Sequence, residues 1–226
     1  CITPWNFPIA IPSWKIFPAL VAGNTVIFKP ATDTPATAAA FVKIFEEAGL
    51  PPGVLNLVIG PGPTVGNALV EHPTVKAISF TGSTEVGRDL YARAARHLKR
   101  VSLEMGGKNA IIVMEDANLE LALEATLWAA FGTTGQRCTA CSRLILHKPI
   151  KGRFTEMLVE RARRLRLGDG LEPTTDVGPL INEAAVKKVH GYVEIGKAEG
   201  ARLLCGGHPV KVNGKGFFYE PTIFDQ

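Results

Sequence analysis

The sequence predicts an α/β protein built on a mostly parallel sheet, and three observations support that fold class. Short runs of β-branched and other apolar residues alternate along the chain with longer stretches in which apolar residues recur at helical spacing. Alternation of this kind favours right-handed βαβ units. The predicted strands are also short and almost wholly apolar, as expected of parallel strands that are covered on both faces.

The first strand and the first helix follow from clear start and stop signals. Residues 25–28 are β-branched or aromatic, and the run is stopped at Pro30. Thr34 and Pro35 are typical of a helix N-cap and a first helical position. One face of this helix carries the apolar residues Phe41, Ile44, Phe45 and Ala48. Glycine and proline residues at 49–53 end it.

The remainder of the first half repeats this order of strand and helix. Further strands are predicted at 54–59, 77–80 and 101–103. A short helix is predicted at 63–71, and a longer one opens at 82–85 and carries Val86, Leu90, Ala94 and Leu98. This half of the chain is therefore predicted to supply a series of parallel strands.

The second half continues the alternation beyond a domain boundary that we predict near Gly106 and Gly107. A strand at 110–114 precedes a helix whose apolar face contains Leu119, Ala122, Leu123, Leu127 and Ala130. The elements that follow are a strand at 143–147, a charged helix at 154–165, a loop rich in glycine, proline and aspartate at 168–179, and a helix at 183–199.

The composition excludes several classes of protein. The 226 residues are 46% hydrophobic and 20% charged, which is close to the average of globular domains and unlike a disordered, collagen-like or coiled-coil chain. The net charge of +4 is small and evenly scattered, so no nucleic-acid surface is predicted. No segment reaches the roughly 18 uncharged apolar residues of a membrane span, so no membrane partner is expected.

Cysteine usage and the chain ends indicate the cellular setting. Four cysteines in a chain of this length do not form a disulfide framework, and no signal peptide is recognisable. We therefore expect a reducing compartment, the cytoplasm. The sequence starts at Cys1 inside a dense motif and ends just after an apolar run, so we expect it to be part of a larger protein.

The segment 135–141, Gly-Gln-Arg-Cys-Thr-Ala-Cys, contains the strongest candidate for a reactive group. Cys138 follows a glycine-containing loop and stands beside the cation of Arg137, near an expected helix start, which favours a nucleophilic thiol. One alternative is a buried structural thiol. Another is a C-x-x-C site with Cys141, but two cysteines are too few for a metal site, and a thioredoxin-like motif would follow the first strand rather than the fifth. No metal site is predicted.

Three further segments carry polar groups that suit a ligand site. Glu104 follows a predicted strand, and ligands of open α/β sheets bind at the carboxyl ends of strands. The strand–glycine–helix junction at 82–87 suits a phosphate. Asn6, held between aromatics and prolines at 4–8, is placed to donate its amide to an oxyanion. The alternatives are an ordinary solvated carboxylate, a simple helix cap and a rigid Asx turn.

Taken in order, these motifs resemble the aldehyde dehydrogenase superfamily. The resemblance runs from Thr-Pro-Trp-Asn-Phe-Pro at 3–8, through Leu-Glu-Met-Gly-Gly at 103–107, to Tyr-Glu-Pro-Thr at 219–222. Within the superfamily, Phe-Gly-Thr-Thr-Gly-Gln-Arg-Cys-Thr at 131–139 is similar to semialdehyde-oxidising members, such as the succinate- and 2-oxoglutarate-semialdehyde dehydrogenases.

The resemblance implies a division of the chain and a catalytic set. Residues 1–105 are expected to form part of a Rossmann-like NAD(P)-binding domain, and residues 106–226 part of an α/β catalytic domain. Cys138 matches the family's nucleophile and Glu104 its general base. Asn6 matches the oxyanion donor, which acts together with the backbone N–H of Cys138.

The resemblance also implies residues for the cofactor and the substrate. The expected cofactor contacts are Trp5, Lys29, Thr32, Gly82, Ser83 and Met105, and Lys15 matches a position implicated in proton relay. Phe7, Ile11, Trp14 and Phe131 are expected to line the aldehyde tunnel. Arg137 is expected to grip a distal carboxylate of a semialdehyde, the alternative being that it points into the protein and braces the loop.

Two departures from the family pattern bear on the cofactor and the loop. NAD-preferring members often carry glutamate where this chain has Thr32. A neutral threonine does not repel a 2′-phosphate, so we expect NADP to be accepted as well as NAD. Thr133 replaces an asparagine that is common in the loop before the nucleophile, which is expected to shift loop hydrogen bonds.

The implied activity is NAD(P)-dependent oxidation of a small aldehyde, expected to be a semialdehyde, through a cysteine thiohemiacetal and a thioester. One alternative is a CoA-acylating relative, and another is a catalytically silent remnant that binds nucleotide or has a structural role. The parent protein is expected to be a homo-oligomer. The 226 residues alone are expected to fold poorly and to turn over little substrate, because a sheet that lacks strands exposes its edges.

Overall fold

The structure is a computed structural model that describes residues 1–225. The chain divides into two compact units, Cys1–Gly106 and Gly107–Gln226. Both contain helices and parallel strand pairs, so the predicted α/β class is confirmed. The assignment of cofactor binding to residues 1–105 and of catalysis to residues 106–226 stays a prediction.

The first unit contains four helices and four strands. The helices are α1 (Ala10–Val21), α2 (Pro35–Glu47), α3 (Asn67–Glu71) and α4 (Thr84–Ala95), and a π-helical turn, Gly62–Gly66, precedes α3. The strands are β1 (Val26–Phe28), β2 (Leu55–Leu57), β3 (Ala77–Gly82) and β4 (Arg100–Met105). All four predicted strands and all three predicted helices of this half are therefore present.

The strands of the first unit are parallel and lie side by side. β1 pairs with β2, and β3 pairs with β4. Ile2 forms parallel bridges to both Lys29 and Phe80, which places residues 1–3 between β1 and β3. The order across this unit is therefore β2, β1, residues 1–3, β3 and β4. Because all five segments run in the same direction, their carboxyl ends lie along one edge.

Two apolar clusters stabilise this arrangement. Phe28 of β1 is fully buried against Ile16 of α1 and Phe41 of α2. Phe80 of β3 packs with a second cluster that includes Leu90 of α4. Burial of side chains of this size stabilises the fold by roughly 1.5–3 kcal/mol each.

Helix α1 was not predicted from the sequence, and it contains Pro18 in its interior. Proline removes one backbone hydrogen bond from a helix interior. In the structure α1 nevertheless continues past Pro18, and Ile11 and Ile16 are 4% and 0% exposed. Burial of this apolar face outweighs the lost hydrogen bond.

Some predicted helix faces differ from the observed ones. Ile44 is 62% exposed, because α2 buries Ala38 and Phe41 instead. Leu98 is 95% exposed and lies beyond the end of α4, with a left-handed backbone conformation at a φ of 51°. These residues show that apolar spacing indicates a helix more reliably than it indicates which face is buried.

Within the described residues 107–225, the second unit contains three helices and six strands. The helices are α5 (Leu119–Phe131), α6 (Lys151–Arg163) and α7 (Glu183–Ala198), with short 3-10 turns at Gly132–Gly135 and Lys148–Ile150. The strands are β5 (Asn109–Val113), β6 (Cys141–Leu146), β7 (Arg202–Cys205), β8 (Pro209–Val212), β9 (Lys215–Tyr219) and β10 (Ile223–Asp225).

Strand pairing in the second unit is mixed. β5 and β6 are parallel, whereas β7 pairs with β10 and β8 with β9 in antiparallel fashion. The antiparallel pairs were not predicted. The β8–β9 hairpin turns at Asn213 and Gly214, which have φ of 51° and 77°, and an Asn-Gly pair is the usual signal for such a turn. The core of this unit forms where Leu123 and Leu127 meet Phe154.

No helix within the described residues, 1–225, combines the length and the apolar character that crossing a membrane requires.

Candidate active site

Most of the predicted cofactor residues follow strands at one edge of the first unit. Lys29 follows β1, Ser83 follows β3, and Met105 ends β4. Trp5 and Asn6 come just after residues 1–3. Ligands of open α/β sheets bind at the carboxyl ends of the strands, so this edge is where such a site is expected.

Glu104 lies within β4 rather than after the strand. It pairs with Thr81, and its neighbour Met105 pairs with Gly82. The strand therefore extends through Glu104, the predicted general base, and this residue is exposed. The predicted pyrophosphate contact at Gly82 and the predicted cofactor contact at Met105 are direct cross-strand neighbours.

The junction between β3 and α4 is closely packed. A Cβ atom at Gly82 would lie 2.5 Å from the Phe80 ring, and one at Gly87 would lie 2.6 Å from the sulfur of Met105. Ser83 is the N-cap of α4, and its hydroxyl accepts a hydrogen bond from the Val86 N–H at 3.3 Å. The free N–H groups and the dipole at this helix start suit an anionic phosphate.

Lys29 is a buried cation at the same edge. The residue is 4% exposed, and its Nζ donates to the Pro30 carbonyl at 2.9 Å. Burial lowers the pKa of Lys29 below its usual value. An ammonium carries three N–H groups, so the remaining two suit the hydroxyls of a ribose. Thr32 lies three residues further on, in an exposed turn.

Lys15 on α1 reaches into the sheet. Its Nζ donates to the Ser79 hydroxyl of β3 at 2.9 Å. Burial lowers the pKa of Lys15, and the negative charge of Glu104 acts in the opposite direction. The charges of Lys15 and Glu104 therefore act on each other within this unit.

The three predicted substrate residues near α1 have different surroundings. Phe7 and Trp14 form a tilted ring pair with centroids 6.3 Å apart. Trp14 is 66% exposed, whereas Ile11 is buried. A hydrogen bond from the Ile11 N–H to the Phe7 carbonyl, at 3.2 Å, connects the loop to the helix.

In the second unit, the predicted nucleophile is presented by an unusual loop. Thr133, Thr134 and Gly135 have consecutive left-handed conformations, with φ of 54°, 56° and 65°. Left-handed backbone is unfavourable for β-branched residues. At Gly135 a Cβ atom would also lie 2.9 Å from the Ala130 carbonyl oxygen, so glycine is required there.

Cys138 itself lies in an exposed turn between this loop and β6. The expectation that it stands near a helix start is therefore wrong, because the chain continues from here into a strand. The Asn109 Nδ2 donates to the Cys138 carbonyl at 2.7 Å, and the Ala140 N–H donates to the Arg137 carbonyl at 3.1 Å. These contacts give the turn a defined shape.

The loop before Cys138 is anchored to residues 178–181. The Thr134 hydroxyl donates to the Gly178 carbonyl at 3.0 Å. Gln136 donates to the Pro179 carbonyl at 3.3 Å and accepts from the Ile181 N–H at 3.0 Å. No role for Thr134, Gln136 or Asn109 was predicted from the sequence, because their partners are distant in sequence.

Arg137 is directed at helix α5. Its Nη2 donates to the carbonyls of Trp128 and Ala129 at 2.7 Å and 3.2 Å, and the guanidinium lies 3.7 Å from the centre of the Trp128 ring. This geometry favours the bracing alternative over the expected grip on a substrate carboxylate. Phe131, at the end of α5, packs against the hydrophobic core of this unit.

Cys141 begins β6, and its Sγ donates to the Arg143 carbonyl at 3.3 Å. All four cysteines are free thiols. Among residues 1–225 there is no cluster of three or more His, Cys, Asp or Glu side chains that is arranged to hold a metal ion.

The model of the aldehyde dehydrogenase family matches residues 1–226, and the chain therefore belongs to this family. It is 49% identical over 227 residues to the alpha-ketoglutaric semialdehyde dehydrogenase of Bacillus subtilis, covering 99% of this chain and 46% of that relative. It is 49% identical over 226 residues to the 2,5-dioxopentanoate dehydrogenase of Saccharolobus solfataricus, covering 99% and 47%. A betaine aldehyde dehydrogenase of Brucella anthropi is 48% identical over 225 residues, covering 99% and 46%.

Solved structures give the same result. HpcC from Thermus thermophilus superimposes with a TM-score of 0.95 at 47% identity, covering 99% of this chain and 45% of that one. PnpE in complex with nicotinamide adenine dinucleotide superimposes with a TM-score of 0.96 at 45% identity, covering 99% and 46%. The chain thus spans about half the length of the curated relatives it matches.

Proposed function

We propose that this chain carries the reactive residues of an NAD(P)-dependent aldehyde dehydrogenase, which oxidises a semialdehyde to the carboxylic acid. The observation that carries the proposal is the thiol of Cys138, which is exposed in a turn held by hydrogen bonds on both sides. An accessible thiol on a rigid turn is suited to attack a carbonyl carbon.

In the proposed reaction, the Cys138 thiolate attacks the aldehyde carbon, and the carbonyl electron pair moves to oxygen. The backbone N–H of Cys138 and the amide of Asn6 stabilise this oxyanion, and loss of one such donor typically costs about 3–4 kcal/mol. Lys29, Gly82 and Ser83 would hold the dinucleotide, whose nicotinamide would supply the acceptor for the hydride of the thiohemiacetal carbon. Glu104 then removes a proton from the water that hydrolyses the remaining thioester.

The first unit supports cofactor binding at its carboxyl edge. The buried amine of Lys29 would bond ribose hydroxyls, and the start of α4 at Gly82 and Ser83 would receive the pyrophosphate. Trp5 and Met105 would contribute further contacts. PnpE, a structural relative, was solved with nicotinamide adenine dinucleotide. Thr32 is exposed and uncharged, so NADP would be accepted as well as NAD.

The choice of a semialdehyde rests on the names of two relatives, an alpha-ketoglutaric semialdehyde dehydrogenase and a 2,5-dioxopentanoate dehydrogenase. Arg137 does not support it, because its guanidinium is committed to α5. Betaine aldehyde dehydrogenases are almost equally similar. A direct comparison of an acidic semialdehyde with betaine aldehyde, using kcat/KM, decides between these substrate classes.

The test uses the whole protein and follows formation of the reduced nicotinamide with each aldehyde. Cys138→Ala is expected to abolish turnover, whereas Cys141→Ala is expected to retain it. Glu104→Gln is expected to give a single burst of reduced cofactor without steady turnover, because acylation no longer leads to hydrolysis. Retained turnover in Cys138→Ala would overturn the proposal.

The same assay distinguishes the alternatives. Formation of an acyl-CoA that depends on added CoA would indicate an acylating enzyme. Nucleotide binding without any aldehyde oxidation would indicate a silent member of the family, whereas selective loss of turnover on alkylation of Cys138 would support the enzyme. A dithiol mechanism would require Cys141, so loss of turnover in Cys141→Ala would favour that alternative.

A further inference from the structure

We infer that Asn109 is a positioning residue that orients the nucleophile Cys138, an inference that rests on the proposed function. Its side-chain Nδ2 lies 2.7 Å from the Cys138 carbonyl oxygen and 3.2 Å from the Ala140 carbonyl oxygen. A primary amide has two N–H groups, so one side chain satisfies both acceptors. No role follows for Asn109 from the predicted reaction itself.

The Asn109 amide supplies one of the two hydrogen bonds that hold the peptide groups on either side of Cys138. On the preceding side, the Arg137 carbonyl accepts from the Ala140 N–H at 3.1 Å. On the following side, the Cys138 carbonyl accepts from Asn109. Both peptide planes that meet at the Cys138 Cα are therefore held.

Because both peptide planes are held, the directions of the Cys138 N–H and of its Cα–Cβ bond are fixed. The proposed reaction depends on both directions. Because a trans peptide is planar, a fixed Arg137 carbonyl sets the Cys138 N–H in the opposite direction. The two planes together set the Cα–Cβ bond of Cys138, which carries the sulfur. The sulfur must approach the carbonyl carbon to about 3–3.5 Å while the N–H faces the developing oxyanion.

Asn109 is itself held firmly enough to act as an anchor. It is the first residue of β5 and pairs with Cys141 at the start of β6. Its backbone carbonyl accepts a hydrogen bond from the Ser142 hydroxyl at 3.4 Å. The strand pair therefore holds the backbone of Asn109, although its register shifts between residues 109 and 110, whereas Cys138 lies in an exposed turn.

Other anchors of the loop act before the nucleophile. Gln136 bonds to residues 179–181, and Arg137 bonds to the end of α5. Asn109 holds the Cys138 carbonyl, on the following side. Its loss leaves the peptide between residues 138 and 139 free to rotate, so the thiol remains present but loses its alignment.

The test compares Asn109→Ala and Asn109→Asp with a matched control, Asn118→Ala, in the whole protein. Asn109→Asp keeps the shape but places a carboxylate against two carbonyl oxygens. Asn118 lies in the same unit and caps α5 by accepting from the Leu121 N–H, so its loss lowers stability without touching the turn.

Both Asn109 variants are expected to lower kcat for the aldehyde about tenfold or more, the effect of losing roughly one aligned interaction. KM for NAD(P) and the rate of Cys138 alkylation by iodoacetamide are expected to stay within about twofold, because the thiol remains exposed. Asn118→Ala is expected to keep the kcat of the unmodified protein even if its melting temperature falls.

Three different results would overturn the inference. If Cys138→Ala abolishes turnover but the Asn109 variants keep the kcat of Asn118→Ala, Asn109 has no positioning role and the proposed function stands. If Cys138→Ala retains turnover, the proposed function fails and the role of Asn109 fails with it. A parallel fall in kcat and alkylation rate would indicate general disorder of the loop and also contradict positioning.

Discussion

At the scale of single residues, the loop before Cys138 contains strained backbone conformations, which lower the stability of the fold but define the shape of the loop. Thr133 and Thr134 both adopt left-handed backbone conformations, with φ of 54° and 56°. The left-handed region costs an L-residue roughly 1–2 kcal/mol relative to its preferred conformation. Thr134 offsets this with its hydrogen bond to Gly178, whereas Thr133 is exposed and has no such side-chain bond among the described residues.

Thr133 and Thr134 share a strained conformation but differ in side-chain hydrogen bonding, which gives the first prediction. Thr133→Asn is expected to raise the free energy of unfolding by about 0.5–1 kcal/mol, because asparagine tolerates the left-handed region. Thr134→Asn relieves the same strain but removes the bond to Gly178, so it is expected to be neutral or destabilising. Urea denaturation of both variants provides the measurement. A lower midpoint for Thr133→Asn than for Thr134→Asn would be the contrary result.

The second prediction concerns Lys29, whose burial lowers its pKa. Lys29→Met is expected to raise stability at neutral pH by about 1 kcal/mol, because a buried ammonium is poorly solvated. It is also expected to weaken NAD(P) binding about tenfold or more. Denaturation and cofactor titration measure the two effects, and tight cofactor binding by the variant would contradict the assigned role.

The stability advantage of Lys29→Met over the unmodified protein is expected to decrease as pH rises. As pH rises from the folded pKa of Lys29 towards its higher unfolded pKa, the unfolded chain binds more protons than the native one. Stability of the unmodified protein therefore rises with pH across that window, and the advantage of Lys29→Met shrinks. An advantage that stays constant with pH would show that desolvation of the charge is not its cause.

At the scale of elements, the junction from β3 to α4 depends on close approach. Gly82 leaves room for the Phe80 ring, and Gly87 leaves room for Met105 at the end of β4. This packing brings the helix start and the end of β4 together at the edge where the cofactor is proposed to bind. The sequence predicted the junction, because strand, glycine and N-cap signals are local. It did not indicate that neighbouring side chains require the glycines.

The third prediction concerns the requirement for glycine at position 82. Gly82→Ala is expected to destabilise the protein by about 1–3 kcal/mol, because the added Cβ meets a buried Phe80 ring that has little room to move. Gly191→Ala is the control, since no atom lies within 4 Å of its added Cβ in the middle of α7. It is expected to raise stability by about 0.5–1 kcal/mol. Equal melting temperatures for the two variants would contradict the packing argument.

At the scale of the whole molecule, each unit has its own hydrophobic core, but apolar surface remains exposed. Ile112 of β5 and Ile145 of β6 are direct cross-strand neighbours and are 65% and 51% exposed. The opposite face of these strands is buried, as the 3% exposure of Val113 shows. An exposed apolar sheet face indicates a surface prone to association.

The fourth prediction follows from this face. The polypeptide of residues 1–226 alone is expected to bind a hydrophobic dye and to self-associate as its concentration rises. The Ile112→Lys and Ile145→Lys substitutions together are expected to reduce both effects. Gel filtration and dye fluorescence measure them. A monomer that binds no dye at high concentration would show that this face does not drive association.

The α/β class, the four strands and three of the helices of the first unit, and membership of the aldehyde dehydrogenase family could all be predicted from the amino acids alone. Those features follow from local spacing, capping residues and turn residues, which a linear chain displays directly. Three features are visible only in the folded chain: α1 continues past Pro18, Arg137 turns towards Trp128, and Asn109 holds the carbonyl of Cys138. Such contacts depend on burial and on partners distant in sequence, as with Asn109 and Cys138, so no local pattern encodes them.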